Sequence, residues 1–570
     1  MSQKSGARKT RKQKIKVEKN SKTRVKKLDD SVFKQYRSLS PFELKTKLIA
    51  LAKQDGKPIL NAGRGNPNFY NSFIREVFSK LQQDLVLKGE QKYPAINIWP
   101  QENEFNYTKL LKDCIKSWKK PYRKFMESYI EYLIKKTKTI NEYSVNFILH
   151  DFVLSTIGAF YPSPPRIQPH LGIAAREFLY NLVTANGKLK FVNNLRIDDF
   201  DCFPTEGAAA AILYIFNTFK ENFLLRRNAK IALITPIFSP YLELPDDPLL
   251  SHLKIIRLKG NPEKNYSLDD SEMDKLKDKG IKALFMVNPA NPSAYSLSKQ
   301  NINYIANIVN TSRKDLIILE DNVYAPFTDE YNSFIIKCPY NTIEVYSLSK
   351  YFGTTGWRLG VCLLSKKNIF NSMIQKLPDK DKKLLNKRYH IASLKPETIT
   401  FIDRLVLDSR QIAEGHVAGL STPQQVLMGL FFYYQIYNGK YENNNYNKNI
   451  KKILSNRLEL FYDQINTEPV IAPTGTNYYN LLDIPEIAKN IYGEEAQNYL
   501  LKNYEYVEFL FHLASQYQTV LLPGAGFGSV DWKVRICFAN LDEDSYRKIG
   551  INVKKAIGDM VRGHKGFLYV

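Results

Sequence analysis

The stretch YSLSKYFGTTGWRLG, residues 346–360, sets Lys350 directly behind Ser347 and Ser349 and eight positions ahead of Arg358. A lysine amine kept from water can attack an aldehyde and hold it as an imine. Neighbouring hydroxyls and a guanidinium suit a phosphate. A surface loop with two solvated charges would read the same way alone, so other fragments must decide. FPTEGAAAAILYIF (203–216) is a small-residue turn opening an apolar helix. Free backbone N–H groups and the helix dipole favour an anion there, although alanine runs also begin many buried helices. NPANPSAYSLS (288–298) holds two Asn-Pro pairs that make a rigid turn and can fix an amide side chain. LEDNVYAPF (319–327) puts Asp321 at a strand end with Tyr324 three residues on. A buried carboxylate can hold a ring nitrogen in its protonated, electron-accepting form. The plain alternative is a capping aspartate and a core tyrosine.

These fragments need a frame to position them. KIALITPIF (230–238), IKALFMVNP (281–289), LIILEDNVY (316–324), TIEVYSLSK (342–350) and RLGVCLLS (358–365) are short apolar or β-branched runs ending in loop residues. Near-continuous apolar strands between helical stretches imply a mostly parallel sheet covered on both faces. Ligand groups collect at the carboxyl ends of such strands, where Pro236, Asn288, Asp321 and Lys350 fall. SPFELKTKLIALAKQ (40–54) starts like a helix at Ser or Pro, and ILNAGRGNPNF (59–69) is a short apolar run ending in a Gly/Asn/Pro loop. Residues 100–150 are rich in Lys, Tyr and Phe at helical spacing and read as an inserted helical segment. The last third offers YYNLLDI, TVLLPGAGF and KVRICFAN as strands, and NGKYENNNYNKN (438–449) as a polar connector.

At 570 residues and 44% hydrophobic content the chain can bury the core of two or more domains. It contains no apolar run near the ~18–20 residues of a membrane span and no apolar signal core at its start. Five cysteines, an odd and scattered set without a C-x-x-C pair, argue against a disulfide framework or zinc site and favour the cytoplasm. Of the net +25, residues 1–27 contribute +11 through twelve Lys/Arg and one Glu. Such a tail is expected to be disordered. Its charge would suit nucleic acid, but the rest of the chain gives no reason to expect that partner.

The order of the fragments (phosphate turn, Asn-Pro turn, Asp-x-x-Tyr, Ser-x-Ser-Lys, Arg) resembles the fold-type I pyridoxal-phosphate enzymes of the aspartate aminotransferase superfamily, and VRICFANL (534–541) resembles their carboxylate-binding arginine segment. The resemblance implies an α/β fold: a large domain with a mostly parallel seven-stranded sheet between helices, and a smaller α+β domain built from both chain ends. It implies pyridoxal 5'-phosphate as cofactor. Lys350 would carry it as a Schiff base and later move the Cα proton. Asp321 would hold the ring N–H, Asn291 and Tyr324 the phenolic oxygen, and Phe238 would stack on the ring. Arg358, Ser347, Ser349 and the backbone at Gly207 and Ala208 would take the phosphate, and Arg535 the substrate α-carboxylate. Two departures stand out: no hydroxyl follows Gly207, which leaves more to the backbone, and Ile536 and Cys537 follow Arg535 where a serine is often found.

The chain exceeds a common aminotransferase of this fold by more than a hundred residues. GRGNPNF (63–69), YPSPPRIQPH (161–170), GHVAGLSTPQQVLMGLFF (415–432) and LPGAGFGSVDWKVRICFANLDEDSY (522–546) resemble the bacterial aspartate 4-decarboxylases, which also transaminate aspartate. This implies conversion of L-aspartate to L-alanine and CO2; the alternative is plain transamination of aspartate or another amino acid with 2-oxoglutarate. Arg64, with Gly65, would lie beside the distal carboxylate. Tyr161 would reach the cofactor phosphate of a neighbouring subunit, with Tyr93 as a rival. A homodimer at least is implied, and larger assemblies of dimers occur in this group. The expected division is a basic tail at 1–30, an N-terminal arm and part of the small domain at 31–94, a helical insertion at 95–160, the large domain at 161–425 and the small domain at 426–570.

Overall fold

The computed structural model describes residues 36–37, 39–53, 56–99, 106–162, 166–246, 252–414, 418–440 and 445–562. The basic tail lies outside them. At the centre is an eight-stranded sheet. In chain order its strands are β4 (Phe200–Thr205), β5 (Lys230–Thr235), β6 (Lys254–Asn261), β7 (Ser267–Leu268), β8 (Ile281–Val287), β9 (Ile317–Asp321), β10 (Thr342–Ser347) and β11 (Gly360–Ser365). Their spatial order is β4-β11-β10-β9-β8-β5-β6-β7. β6, β5, β8, β9 and β10 are parallel, while β11 runs against both β10 and β4. The expected seven strands are thus present, and the two-residue β7 hooks onto the β6 edge as an eighth.

Both faces of the sheet are buried, which is why its central strands are apolar almost throughout. Ile317 and Leu319 join the main core, whereas Ile318 joins a separate cluster with Leu284, Met286, Ile305 and Phe334 on the opposite side. Side chains alternate along a strand, so Asp321 faces with Ile317 and Leu319, and Glu320 with Ile318.

Three more strands precede the sheet: β1 (Leu60–Asn61) and a hairpin of β2 (Glu90–Tyr93) and β3 (Ile96–Ile98). Helix α1 (Pro41–Ala52) begins as expected, with Ser40 Oγ accepting the Glu43 N–H (3.3 Å) and Pro41 in the first turn. The segment read as helical holds α2 (Tyr107–Ile115), α3 (Lys120–Ile140) and α4 (Val145–Ile157). Helix α5 (Ala208–Glu221) follows β4. The smaller body is built from both chain ends. β1 pairs in parallel with β13 (Thr519–Val520), and β12 (Tyr479–Asp483), β15 (Lys533–Cys537) and β14 (Leu522–Pro523) form an antiparallel sheet in that order.

The polar connector is shorter than the sequence suggested. Helix α6 (Thr422–Lys440) enters it and α7 (Asn445–Tyr462) leaves it, with 441–444 outside the described residues. Tyr446 anchors this end by donating its hydroxyl to the Tyr351 carbonyl (2.7 Å), so one aromatic in a polar run fixes what composition alone would leave loose. All five cysteines are buried and unpaired. Among the described residues no helix is long and apolar enough to cross a membrane, and no group of His, Cys, Asp and Glu could hold a metal ion.

Candidate active site

The carboxyl ends of β4, β5, β8, β9 and β10 share one edge of the sheet, where the antiparallel β11 begins. A cavity of about 360 Å³ opens there. Its walls include Ala208, Phe238, Asn291, Asp321 and Tyr324, together with Ser347, Ser349, Lys350 and Arg358. The N-terminal arm and the small sheet bring in Arg64, Gly65 and Arg535. Gly207 abuts the cavity through Arg358. Tyr161 and Tyr93 do not line it; they are 67% and 62% exposed on the surface of this chain.

One end of the cavity is built for an anion. The Ser347 hydroxyl lies 3.0 Å from that of Ser349 and accepts the Ser349 N–H (3.2 Å). Arg358 donates to the Thr355 carbonyl (3.2 Å) and has no carboxylate partner among the described residues. Gly207 caps α5 at φ 93°, and a Cβ there would stand 2.6 Å from Arg358 Nη2. The backbone angle favours glycine here, and any Cβ would push the Arg358 guanidinium out of its present place. With Ala208 and Ala209 in the wall, the first turn of α5 presents its free N–H groups to this end.

In the middle stands Lys350, half-buried, with Nζ donating to the Gly65 carbonyl (2.8 Å). Burial, reinforced by Arg535 and Arg358, lowers its pKa to about 8 against the opposing pull of Cys537 and Asp321. Asp321 ends β9 between Val287 and Val345 of the neighbouring strands. Burial raises its pKa to about 7, while the Val323 N–H (3.2 Å) and the Lys350 amine work the other way. The Tyr241 hydroxyl lies near this carboxyl without closing a well-formed hydrogen bond.

The other end is an arginine cage. Arg535 is 2% exposed and donates to Asn291 Oδ1 (3.1 Å) and the Gly63 carbonyl (2.8 Å), leaving Nε without a partner. Its guanidinium sits between the Tyr479 and Phe527 rings, 4.7 and 4.6 Å from their centroids. The Tyr479 and Tyr324 hydroxyls share a hydrogen bond of 2.9 Å. Gly65 passes so close that a Cβ would run into the Tyr479 hydroxyl. At the mouth, α1 adds Phe42 and Lys45 beside Arg64. The Lys45 pKa is lowered by burial and then by Arg535 and Arg64.

Lys45, Phe42, Tyr479 and Phe527 were not singled out from sequence. Lys45 lies in a region legible only as an amphipathic helix, and Tyr479 and Phe527 read as strand and loop aromatics. Only the antiparallel pairing of β12 with β15, Tyr479 opposite Cys537 and Leu481 opposite Arg535, brings the ring to the guanidinium.

A half-buried amine, a carboxyl and two guanidinium groups without carboxylate partners among the described residues, gathered at the strand ends of a mostly parallel sheet, make up the cleft of an α/β enzyme. Residues 203–549 match the family model of aminotransferase class I and II, and the chain belongs to that family. It is 34% identical over 546 residues, 93% of this chain and 99% of the other, to a bifunctional aspartate aminotransferase and L-aspartate beta-decarboxylase from Pseudomonas sp.. An aspartate aminotransferase of Pyrococcus abyssi is 30% identical over 179 residues, 30% of this chain and 43% of that one. Among solved structures, the aspartate aminotransferase from Thermus thermophilus with maleate has the same fold, with a TM-score of 0.56 at 14% identity over 93% of this chain and 100% of the other.

Proposed function

We propose that this chain is a pyridoxal-phosphate-dependent L-aspartate 4-decarboxylase that releases L-alanine and CO2 and transaminates aspartate as a side activity. One observation carries the reading. Lys350, at the centre of the cavity, shares it with three guanidinium groups, Arg358, Arg535 and Arg64, none of which has a carboxylate partner among the described residues. One phosphate and the two carboxylates of a dicarboxylic amino acid would satisfy all three. The near full-length similarity to the Pseudomonas enzyme supports the choice of aspartate.

The residues present fit the cofactor. Arg358, Ser347, Ser349 and the first turn of α5 would form the phosphate end, Phe238 lies in the wall where it could stack on the ring, and the donor-poor Asp321 carboxyl has no salt-bridge partner among the described residues. When bound, the cofactor supplies an aldehyde for amines and a cationic ring that accepts electrons. Asp321, raised toward neutrality while alone, would be held ionised by that ring's N–H, and its charge would keep the proton there. Lys350 would take the Cα proton and return it; its lowered pKa leaves much of the amine free for this near pH 8. Arg535, locked between two rings, would orient the α-carboxylate, and Asn291 and Tyr324 would contact the cofactor's phenolic oxygen.

Arg64 would position the distal carboxylate. A tight clamp there would stabilise the group that has to leave, so only contacts that differ between ground and transition states could help the rate. The chain would act as a homodimer at least. Exposure of Tyr161 away from this chain's own cavity suits a residue that serves another copy's phosphate site. The test is incubation of purified, cofactor-loaded protein with L-aspartate and no keto acid. Alanine and CO2 in continuous turnover support the reading, whereas product formation only after 2-oxoglutarate is added reduces it to transamination.

A further inference from the structure

Behind the sheet, on the face opposite the cavity, two carboxyl groups meet at one hydroxyl. Ser333 Oγ lies 2.7 Å from Glu320 Oε2 and 2.5 Å from Glu344 Oε1, and it already accepts the Ile335 N–H (3.2 Å). A serine hydroxyl owns one hydrogen, so it can donate to only one of these oxygens, and the other contact needs a hydrogen from a carboxyl group. The surroundings decide which. Glu320 faces four donors: Ser333 Oγ, the Phe334 N–H (2.9 Å), Asn288 Nδ2 (2.7 Å) and the Tyr331 hydroxyl (3.3 Å). Glu344 accepts one other hydrogen, from Asn322 Nδ2 (3.2 Å).

We propose that Glu344 keeps its proton in the folded chain and donates it to Ser333, which fixes the Glu320 carboxylate and so positions Asp321 and the turn carrying Asn291. The links to the site are short. Glu320 and Asn322 flank Asp321 in sequence. Asn288 gives one amide hydrogen to Glu320 and the other to the Asn332 carbonyl (2.7 Å), and its own backbone N–H bonds the Asp321 carbonyl (2.8 Å). Its Oδ1 accepts from Ser296 Oγ (3.0 Å) and the Leu297 N–H (2.9 Å), closing the turn that holds Asn291 against Arg535. Burial raises both carboxyl pKa values, that of Glu320 to about 7. The titratable groups facing the pair are Tyr331 and Cys338, and neither carboxyl has a basic partner among the described residues. The effect on the site rests on the roles proposed above for Asp321 and Asn291; the proton assignment does not.

The assignment separates two isosteric substitutions. In Glu344→Gln the amide N–H can replace the carboxyl O–H toward Ser333, and its oxygen can still accept from Asn322. In Glu320→Gln an amide meets donors on every side. Melting of the full, cofactor-loaded chain is followed from pH 5 to 9. Glu344 holds a proton that the unfolded chain releases above its ordinary pKa of 4.5, so native stability falls relative to the glutamine variant as pH rises. Glu344→Gln is expected to melt at or above the native chain by about 1–2 °C at pH 8, with the gap closing toward pH 5. Glu320→Gln is expected to melt lower throughout and to raise KM for L-aspartate by about tenfold, more than it lowers kcat. A Glu344→Gln variant that melts below the native chain at pH 8, or a gap independent of pH, overturns the assignment. Loss of stability in Glu320→Gln without a rise in KM overturns the positioning role. If Glu320→Gln does not fold, the melting of Glu344→Gln decides the assignment and its KM the positioning role, which requires KM to stay at the native value.

Discussion

Asp321 and Glu320 are consecutive residues, both buried, both with a carboxyl pKa raised to about 7 by that burial. They differ in what surrounds them. Glu320, behind the sheet, is met by four hydrogen-bond donors, whereas Asp321, on the cavity side, has one backbone N–H and a tyrosine that does not quite reach it. Buried polar groups are normally satisfied, so a carboxyl this poor in donors on the wall of a cavity suits an external partner. Arg358 and Arg535 repeat the pattern as cations without carboxylates. On the back face both carboxyl groups are met by donors and only Asn322 Oδ1 is left over, whereas the cavity face leaves a carboxyl and two guanidinium groups without ionic partners among the described residues.

That contrast breaks if substitutions on the cavity face lower the melting temperature while leaving activity at the native level. The largest expected effect is from Lys350→Ala: turnover falls by about 10⁴-fold or more, yet the melting temperature stays within about 2 °C. Borohydride should no longer fix the cofactor to the chain, which mass spectrometry reads directly. Asp321→Asn comes next, with activity lower by about 10²–10³-fold. In the cofactor-free chain the same change should raise the melting temperature at pH 8. The folded Asp321 pKa lies above the ordinary carboxyl value of 3.8, so the native carboxyl costs stability as pH climbs toward 7, and the gain should vanish near pH 4.

Arg535→Lys tests the other end. A lysine cannot reproduce the two-bond fork or fill the gap between Tyr479 and Phe527, so kcat/KM for L-aspartate should fall by about 10–100-fold, chiefly through KM. A smaller, graded effect concerns the free amine. Only neutral Lys350 attacks an aldehyde, and its pKa is lowered to about 8. Covalent uptake of pyridoxal phosphate by the cofactor-free chain should therefore slow about tenfold per pH unit below 8 and level off above it. A profile still rising at pH 10 would mean that the amine is not held as the structure has it.

The same contrast explains what the sequence made legible. Lys350, Arg358, Asp321 and the two serines lie within 40 residues of chain on adjacent strands, so their spacing carries the chemistry. The central strands were visible because burial on both faces leaves long apolar runs. β6 was not, since Lys254, Arg257 and Lys259 interrupt KIIRLKGN near the sheet edge, and β4, at the other edge, carries Pro204, which a central strand would not tolerate. The back-face network escaped notice because Ser333 sits in a loop and meets Glu320 and Glu344 only after two strands pair. Lys45 and Tyr479 enter the cavity from opposite ends of the chain, a juxtaposition that no local pattern encodes.

Tyr479 lies between the two regimes and gives the finest test. It faces the cavity, yet its hydroxyl is paired with Tyr324 and its ring packs under Arg535. Tyr479→Phe keeps the ring and removes one neutral hydrogen bond, worth about 1 kcal/mol or roughly fivefold. Arg535 should remain seated, so KM for L-aspartate should hardly move. The Tyr324 hydroxyl loses its protein partner and, in the proposed role, would rely more on the cofactor, so the visible band of the loaded enzyme should shift while kcat falls by less than about tenfold. A large rise in KM instead would show that the Tyr479 hydroxyl, rather than its ring, holds Arg535 in place, and that this side chain belongs with the incomplete groups of the cavity face.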